Sequence, residues 1–384
     1  MSTFPNVRFR FAAALALIAL GATALTGQAQ RRTRVELFFP NPPGALTLKC
    51  DFHIHTVFSD GLVWPTVRVD EAWREGLDAI AITDHVEYHP HKADVSTNLH
   101  RSYDLALPTA KSLGLILIKG AEITRGEPPG HLNALFVEQP ELLNVTNNSA
   151  AIEAAAQQGA FLFWNHPGWK QPFEKPVWYA EQGEFYDRGW LKGIEVVNGD
   201  EYYPLAHQWA LDRNLALLGD SDIHSPTGLE QAPGGPTHRP MTLVFAAERT
   251  AAAIKDALLA RRTAVYWQNS LIGSEEFLAP IFYQSLELKN PEVAIKGTGT
   301  VLLQFYNRCP VNFELERDGA LAEVGLPRTA TLWAGRTSLL QLTGKSSSLS
   351  ETRSLALPYR VTNLKIGPAR ALPVELRIKV AFSP

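Results

Sequence analysis

The chain has 384 residues, of which 45% are hydrophobic and 20% charged, and its formal charge is -3 at neutral pH. This length exceeds what one hydrophobic core usually fills, so we expect two domains. The mildly acidic balance, with no lysine-arginine block beyond RRTR at 31–34, disfavours a nucleic-acid backbone as the main partner.

The first 29 residues have the pattern of a cleaved signal peptide. Two arginines precede an uncharged stretch, residues 11–30, whose apolar centre is FAAALALIAL, and the GQA tripeptide at 27–29 suits a small-residue cleavage site. A retained membrane anchor is the competing interpretation, because the uncharged stretch approaches spanning length, but its second half is only weakly apolar. We therefore expect a periplasmic or secreted protein without a stable membrane anchor.

The chain has two cysteines, Cys50 and Cys309. They could pair in an oxidising compartment. A buried free thiol at Cys50 is an equally good interpretation, since Cys50 adjoins the apolar run of a predicted strand.

Residues 45–225 alternate short apolar, β-branched runs with helical patterns, which is typical of β/α architecture. The predicted strands are 46–56, 78–85, 113–124, 131–137, 160–166, 192–199 and 214–224, and the predicted helices between them are 65–76, 97–114, 149–159 and 204–214. Polar residues gather at the C-terminal ends of these strands. A barrel with one shared mouth is the economical interpretation.

A further strand, 241–246, and a helix within 248–262 complete the predicted barrel domain, residues 45–268. From residue 270 the chain shows the alternation of β-strands separated by Pro, Gly and Ser. We predict an all-β sandwich of immunoglobulin-like size over 270–384.

Nine histidines and acids follow or open the barrel strands. His53 and His55 share one face of the first strand, because side chains two residues apart point the same way. Alone, each residue could be a cap or a satisfied core group. Together they would be costly unless cations compensate the buried carboxylates, and mixed nitrogen and oxygen ligands favour Zn, Mn or Fe. The predicted ligands are His53, His55, Asp60, His85, Glu122, His131, His166, Asp222 and His224.

The ordered motifs DFHIHTVFSDG, ITDH, AEI, GH, NHPG and SDIH resemble the PHP (polymerase and histidinol phosphatase) superfamily of metal-dependent phosphoesterases, over roughly residues 47–225. The resemblance implies a distorted (β/α)7 barrel with two or three divalent ions at its C-terminal mouth. It also implies three groups of ligands: His53, His55, Glu122 and Asp222; Glu122, His131 and His166; and Asp60, His85 and His224. Some members of the superfamily have histidine where this chain has Asp60, so the third group is where this chain differs from the family pattern.

The flanking stretches, the export signal and the β tail resemble more narrowly the secreted bacterial PHP phosphodiesterases that act on organophosphate diesters. The implied function is a secreted phosphodiesterase in which a metal-bridging hydroxide attacks a small-molecule ester. No serine or cysteine nucleophile is then required.

Further residues are predicted to assist this reaction. Asp84 could orient a ligand histidine or cap its strand, His85 lies among the ligands, and His238 could protonate the leaving group, as could His89 or His91. The predicted phosphate contacts are Arg125, Lys170 and Arg239. Trp169 and Tyr88 could pack against an apolar ester group.

Two other functions remain open from the sequence. One is a phosphomonoesterase of the histidinol-phosphate or nucleotide type. The other is a catalytically silent exported protein that binds metal or carbohydrate.

Overall fold

The computed structural model describes residues 33–171, 175–230 and 238–384. The predicted signal peptide lies outside these ranges. Within them, no helix combines the length and apolarity needed to cross a bilayer.

The chain order begins with the elements of the barrel. The strands are β1 (Leu46–Asp51), β2 (Ala79–Ile82), β3 (Ile116–Ile123), β4 (Leu132–Leu135), β5 (Phe161–Trp164), β6 (Leu191–Asn198), β7 (Glu201–Tyr202), β8 (Ala216–Asp220), β9 (Met241–Ala246), β10 (Thr263–Trp267) and β11 (Ser270–Gly273). The helices are α1 (Pro65–Arg74), α2 (Arg101–Leu113), α3 (Asn148–Gln157), α4 (Ala180–Asp187), α5 (Pro204–Arg213), α6 (Thr227–Glu230) and α7 (Ala251–Leu259), with a short 3₁₀ turn at Pro140–Leu143.

The second domain follows one more helix. Its elements are α8 (Glu275–Ser285), β12 (Leu286–Leu288), β13 (Glu292–Lys296), β14 (Thr300–Asn307), β15 (Phe313–Arg317), β16 (Val324–Gly325), β17 (Thr329–Leu332), β18 (Thr337–Gly344), β19 (Thr352–Gly367) and β20 (Arg370–Ser383).

The predicted seven-stranded β/α barrel is confirmed. β1, β2 and β3 pair in parallel, as do β5, β6 and β8, and β9 lies antiparallel to β1 on the other side. The barrel closes between β8 and β1 through a single parallel bridge, Ile54 to Ile223, rather than a full ladder. Strands such as β2, β5 and β9 are buried along their whole length, as expected where helices cover a sheet.

The direction of β4 was not evident from the sequence. It runs antiparallel to both β3 and β5. The N-terminal end of β4 therefore lies at the edge where the neighbouring strands have their C-terminal ends, and this places His131, the residue before β4, at the same mouth.

The C-terminal domain is the predicted all-β, immunoglobulin-like sandwich. One sheet has the order β12-β14-β18-β16, and β13, β20, β19, β15 and β17 form the facing layer. Alternating burial along β14 and β18 shows one face in the core and one in solvent.

The two domains share one apolar core and one sheet. β11 pairs in parallel with β19, so the barrel sheet continues into the sandwich. The core cluster extends from Ile80 in the barrel to Val361 in the sandwich. Helix α8 lies between them and was not predicted, because Pro280 interrupts its pattern, yet Leu278, Ile281 and Phe282 are all buried.

Both cysteines are free and buried, so the pairing alternative is wrong. Burial raises the pKa of Cys50 well above its usual value and raises that of Cys309 to about 12. Both side chains therefore act as small core residues rather than as reactive thiolates.

Close packing inside the barrel gives a test of the fold. A Cβ on Gly219, in β8, would lie 2.1 Å from Cγ1 of Val265 in β10. We expect Gly219→Ala to lower the free energy of unfolding by about 1 to 3 kcal/mol, because neither strand can move without breaking its ladder. Urea denaturation measures this. Gly126→Ala is the control, since a Cβ there meets nothing within 4 Å, and equal midpoints for both variants would contradict the packing.

Candidate metal centre

All nine side chains predicted as metal ligands come together at the C-terminal mouth of the barrel. They form four overlapping groups in which the nitrogen and oxygen atoms of each group lie within 4.8 Å of one another. The groups are His53, His55 and Asp222; His53, Glu122 and His166; His85, Glu122 and His131; and His55, Asp60, His85 and His224. Eight members lie within a strand end or a few residues beyond it, and Asp60 comes from the turn at residues 57–60, so the barrel sets most of their spacing.

The first group surrounds Asp222. Its Oδ1 lies 3.1 Å from Nε2 of His53 and 3.1 Å from Nε2 of His55. Glu122 reaches the same two rings, with Oε1 3.6 Å from His53 Nε2 and Oε2 3.4 Å from His55 Nε2. These are the four residues that the resemblance assigned to one ion.

The second group surrounds the other side of Glu122. Its Oε1 lies 2.9 Å from Nδ1 of His131 and 3.6 Å from Nε2 of His166. Glu122 thus contacts both groups and has the position of a bridging carboxylate.

The third group surrounds Asp60. Its Oδ1 lies 3.3 Å from Nε2 of His85 and 3.2 Å from Nε2 of His224, with Nδ1 of His55 at 3.7 Å. Asp60 and His224 are the most exposed members of the cluster, at 26% and 35% for their side chains. This group is therefore the outermost of the three.

The donor set fits divalent metal ions. Four of its buried atoms have no hydrogen-bond partner among the described residues: Nε2 of His53, Nε2 of His55, Oδ1 of Asp60 and Oε2 of Glu122. Unpaired buried polar atoms are costly, and here each lies within 3.2 Å of a ligand atom of another residue of the cluster. Imidazole nitrogens and carboxylate oxygens are ligands for Zn, Mn and Fe, and a bound cation would satisfy them.

The electrostatics of the cluster also favour cations. Burial opposes protonation of His85, but the carboxylates of Glu122 and Asp60 outweigh it and raise the pKa of His85 to about 10. Neighbouring histidines, against the effect of burial, hold the pKa of two carboxylates below their usual values: His85, His131 and His53 act on Glu122, and His53, His55 and His166 act on Asp222. A field that retains protons on imidazoles attracts divalent cations, which displace those protons on binding.

Glu195 supports the ligands from behind, and sequence reasoning missed it. Its Oε1 lies 2.8 Å from Nδ1 of His53, and its Oε2 accepts hydrogen bonds from the backbone N–H of His166 at 2.6 Å and from Asn198 at 2.9 Å. A carboxylate behind a ligand histidine fixes its ring and raises its basicity. The sequence feature that could have revealed this role is the position of a glutamate inside the apolar run of β6.

Asp84 does not contact a ligand histidine directly, contrary to one of the two predicted roles. Its Oδ1 accepts hydrogen bonds from the backbone N–H of Thr56 at 2.7 Å and from Ser59 Oγ at 2.8 Å. Ser59 Oγ in turn lies 3.2 Å from Nδ1 of His55. Asp84 therefore holds the loop after β1 and acts on His55 only through Ser59, which makes it a positioning residue rather than a catalytic one.

The predictions for His238 and Arg239 are also contradicted. The His238 ring stacks on Tyr266 at 3.9 Å, and its nitrogens lie 2.7 Å and 3.0 Å from the carbonyl oxygens of Arg239 and Gln268. Arg239 is 4% exposed and donates to Asp51 and Glu75. Both residues are committed to the scaffold, so His238 is not placed as an acid nor Arg239 as a phosphate contact.

The other two predicted phosphate contacts differ from each other. Arg125 donates to the Val145 carbonyl oxygen at 2.6 Å and pairs with Glu87 at 2.8 Å, so its charge is already neutralised, against the prediction. Lys170 is exposed, and its Nζ lies 3.8 Å above the Trp169 ring. Lys170 remains a candidate.

Two ligand residues have left-handed backbone conformations. His166 has φ 26° and Asp222 has φ 52°, which is unusual for residues with a side chain. Strain of this kind persists only where the surroundings enforce it, and it clusters at functional sites.

A barrel whose mouth carries this ring of histidines and carboxylates has the architecture of a metal-dependent phosphoesterase. The sequence profile of the PHP domain matches residues 51–197, and a profile described as an Ig-like domain matches residues 286–377. A solved two-domain protein from Bacteroides vulgatus, described as containing a predicted PHP-like metal-dependent phosphoesterase, is 41% identical, with a TM-score of 0.85 over 91% of this chain and 100% of that one. The chain belongs to the PHP family of metal-dependent phosphoesterases.

Two further solved structures are more distant. A candidate metal-dependent phosphoesterase from Bifidobacterium adolescentis is 18% identical, with a TM-score of 0.39 over 58% of this chain and 98% of its own. An amidohydrolase from Chromobacterium violaceum with bound sulfate is 16% identical, with a TM-score of 0.36 over 47% of this chain and 88% of its own. These partial likenesses carry no weight for function, and the curated proteins gave no match.

The contact between Glu195 and His53 predicts an effect on metal affinity. We expect Glu195→Gln to weaken binding of Mn²⁺ or Zn²⁺ by about 10- to 100-fold, because the amide orients His53 less well and removes a negative charge behind it. Competition with a chelating dye measures the affinity. Glu153→Gln, on the surface of α3, is the control and should bind metal as the wild type does; a Glu195→Gln variant with wild-type affinity would contradict the supporting role.

Proposed function

We propose that this chain is a secreted phosphodiesterase of the PHP family. The observation that carries the proposal is the cluster itself, in which Glu122 joins ligand groups that can each hold a divalent ion at one open mouth. The signal-peptide pattern of residues 1–29 supports export.

The mouth contains the parts that hydrolysis of a phosphate ester requires. His53, His55, Glu122 and Asp222 would hold one ion, His131 and His166 a second with Glu122, and Asp60, His85 and His224 a third. Such ions, when bound, lower the pKa of water and neutralise charge on the phosphoryl oxygens. The protein's part is to fix the ligands, through Glu195 behind His53 and Ser59 behind His55.

The charge of the rim favours diesters over monoesters. A diester carries one negative charge and a monoester close to two at neutral pH. Arg125 and Arg239 are both neutralised by carboxylates, and Lys170 pairs with no described carboxylate. Lys170 provides modest positive charge, which suits a monoanion, whereas a dianion needs a dense cationic pocket.

Two exposed aromatic side chains border the mouth. The Trp169 ring lies 5.0 Å from the His131 ring and 5.1 Å from the His166 ring, and Trp169 is 41% exposed. Tyr88 lies 5.9 Å from His85 and is 52% exposed. Exposed aromatic surface beside a polar centre is suited to an apolar or aromatic ester group.

A substrate panel tests the proposal. The purified protein, loaded with Mn²⁺ or Zn²⁺, should hydrolyse bis-p-nitrophenyl phosphate faster than p-nitrophenyl phosphate, and dialysis against a chelator should abolish turnover. His53→Ala is the inactive reference. Efficient turnover of the monoester with none of the diester would instead support a phosphomonoesterase, and bound metal without turnover of either ester would indicate a catalytically silent protein.

Trp169 provides a test of the apolar rim. We expect Trp169→Ala to raise KM for bis-p-nitrophenyl phosphate by about 5- to 20-fold, equivalent to about 1 to 2 kcal/mol of lost stacking, with a smaller change in kcat. Trp333→Ala, at an exposed tryptophan of the sandwich, is the matched control. Equal KM values for wild type and Trp169→Ala would exclude stacking of the ester on this ring.

A further inference from the structure

Arg68, on helix α1, is fully buried directly behind the metal centre. A guanidinium has five N–H groups, and all five lie in hydrogen bonds here. Nε donates to the His55 carbonyl at 2.9 Å, Nη1 to the Ser225 carbonyl at 2.8 Å and the Glu71 carboxylate at 2.9 Å, and Nη2 to the carbonyls of Ile223 at 3.1 Å and His224 at 2.6 Å.

Burying an arginine costs free energy of desolvation, and hydrogen bonds and an ion pair must offset this cost. Its neighbours on the buried face of α1, Val69 and Ala72, are apolar, and an apolar residue at 68 would avoid the desolvation of a cation. Glu71 neutralises the charge, and its other oxygen accepts a hydrogen bond from the backbone N–H of Thr227 at 3.1 Å. The pair therefore holds two chain segments by their backbones.

Those two segments carry ligands of the metal centre. One is the segment after β1, with His55, and the other is the turn after β8, with His224. In the second segment Asp222 has a left-handed backbone, and its N–H donates to the His53 carbonyl at 2.8 Å. Arg68 donates to the carbonyls of the three residues that follow Asp222, and these hydrogen bonds oppose relaxation of its conformation.

We propose that Arg68 is a positioning residue of the metal centre, which sets the distance between the His55 and His224 segments and so determines the affinity of the outer group for its ion. This inference rests on the proposed function in one respect, namely that the predicted ligands bind metal ions. Asp60 and His224 are the most exposed ligands, so fewer protein atoms surround their side chains, and the position of the backbone matters more for them. His53 has Glu195 behind it, and Glu122 accepts a hydrogen bond from Asn165 at 2.9 Å.

The test counts ions rather than turnover. Wild type, Arg68→Lys, Arg68→Met and Asp60→Ala are titrated with Mn²⁺, and the bound ions per folded chain are measured by elemental analysis. Arg74→Lys on the same helix is the matched control, since Arg74 is exposed and pairs with Asp70. We expect both Arg68 variants to bind the ion that Asp60→Ala loses with an affinity about tenfold or more below that of the wild type. They should bind the other ions as the wild type does.

A second measurement separates positioning from packing. Arg68→Ala titrated with Mn²⁺ in the presence of millimolar guanidinium should regain part of the lost ion, because a free guanidinium can occupy the same carbonyl cage. Equal weakening of every ion, or a full complement at wild-type affinity, would overturn the proposal, as would failure of guanidinium to restore the ion. A wild type that binds its ions but hydrolyses no ester would refute the proposed function, while the ion count would still decide the role of Arg68.

Discussion

The buried carboxylate of Glu122 is the constraint around which the mouth of this barrel is organised. It is fully buried, and its two oxygens lie within 3.6 Å of the rings of five histidines: His53, His55, His85, His131 and His166. A carboxylate at this depth is stable only beside cations, whether protons on the imidazoles or metal ions between them. The antiparallel direction of β4 belongs to the same constraint, because it brings His131 to Glu122.

A layer of residues behind the ligands holds several of them in place. Glu195 fixes His53, Asp84 fixes His55 through Ser59, and Arg68 fixes the backbone of the outer group. Asp51 performs a related task lower in the barrel, where it accepts a hydrogen bond from the backbone of Ser221 and pairs with Arg239. The buried charged residues of this barrel thus have two separate roles. Some are predicted metal ligands at the mouth, and others hold those ligands or the strands behind them.

The sequence predicted the strand-end residues well because their positions depend on local rules. Parallel strands bring their C-terminal ends to one edge, and the two-residue period places His53 beside His55. The layer behind them depends on contacts between distant segments, which no local pattern shows. Arg239 looked like a free cation in a loop near the motif residues because its partners, Asp51 and Glu75, lie far away in sequence. The direction of β4 was missed for the same reason, since its pairing with β3 and β5 depends on tertiary packing. Helix α8 was missed because Pro280 interrupts its pattern.

The number of ions held at the mouth also bears on the ester that fits there. Three carboxylates, from Asp60, Glu122 and Asp222, belong to the ligand set, so two divalent ions exceed their charge only slightly, whereas three exceed it strongly. Asp60 in place of a histidine adds a negative charge to the outer group and reduces the net positive charge in either case. Occupancy of the outer group would therefore set the size of the positive excess that an ester meets at the mouth, which is the quantity on which the proposed preference for diesters depends. Arg68 donates to the carbonyl of His224, a predicted ligand of the outer group. Under our proposal for Arg68, this contact links the occupancy of the outer group to the charge that an ester would meet.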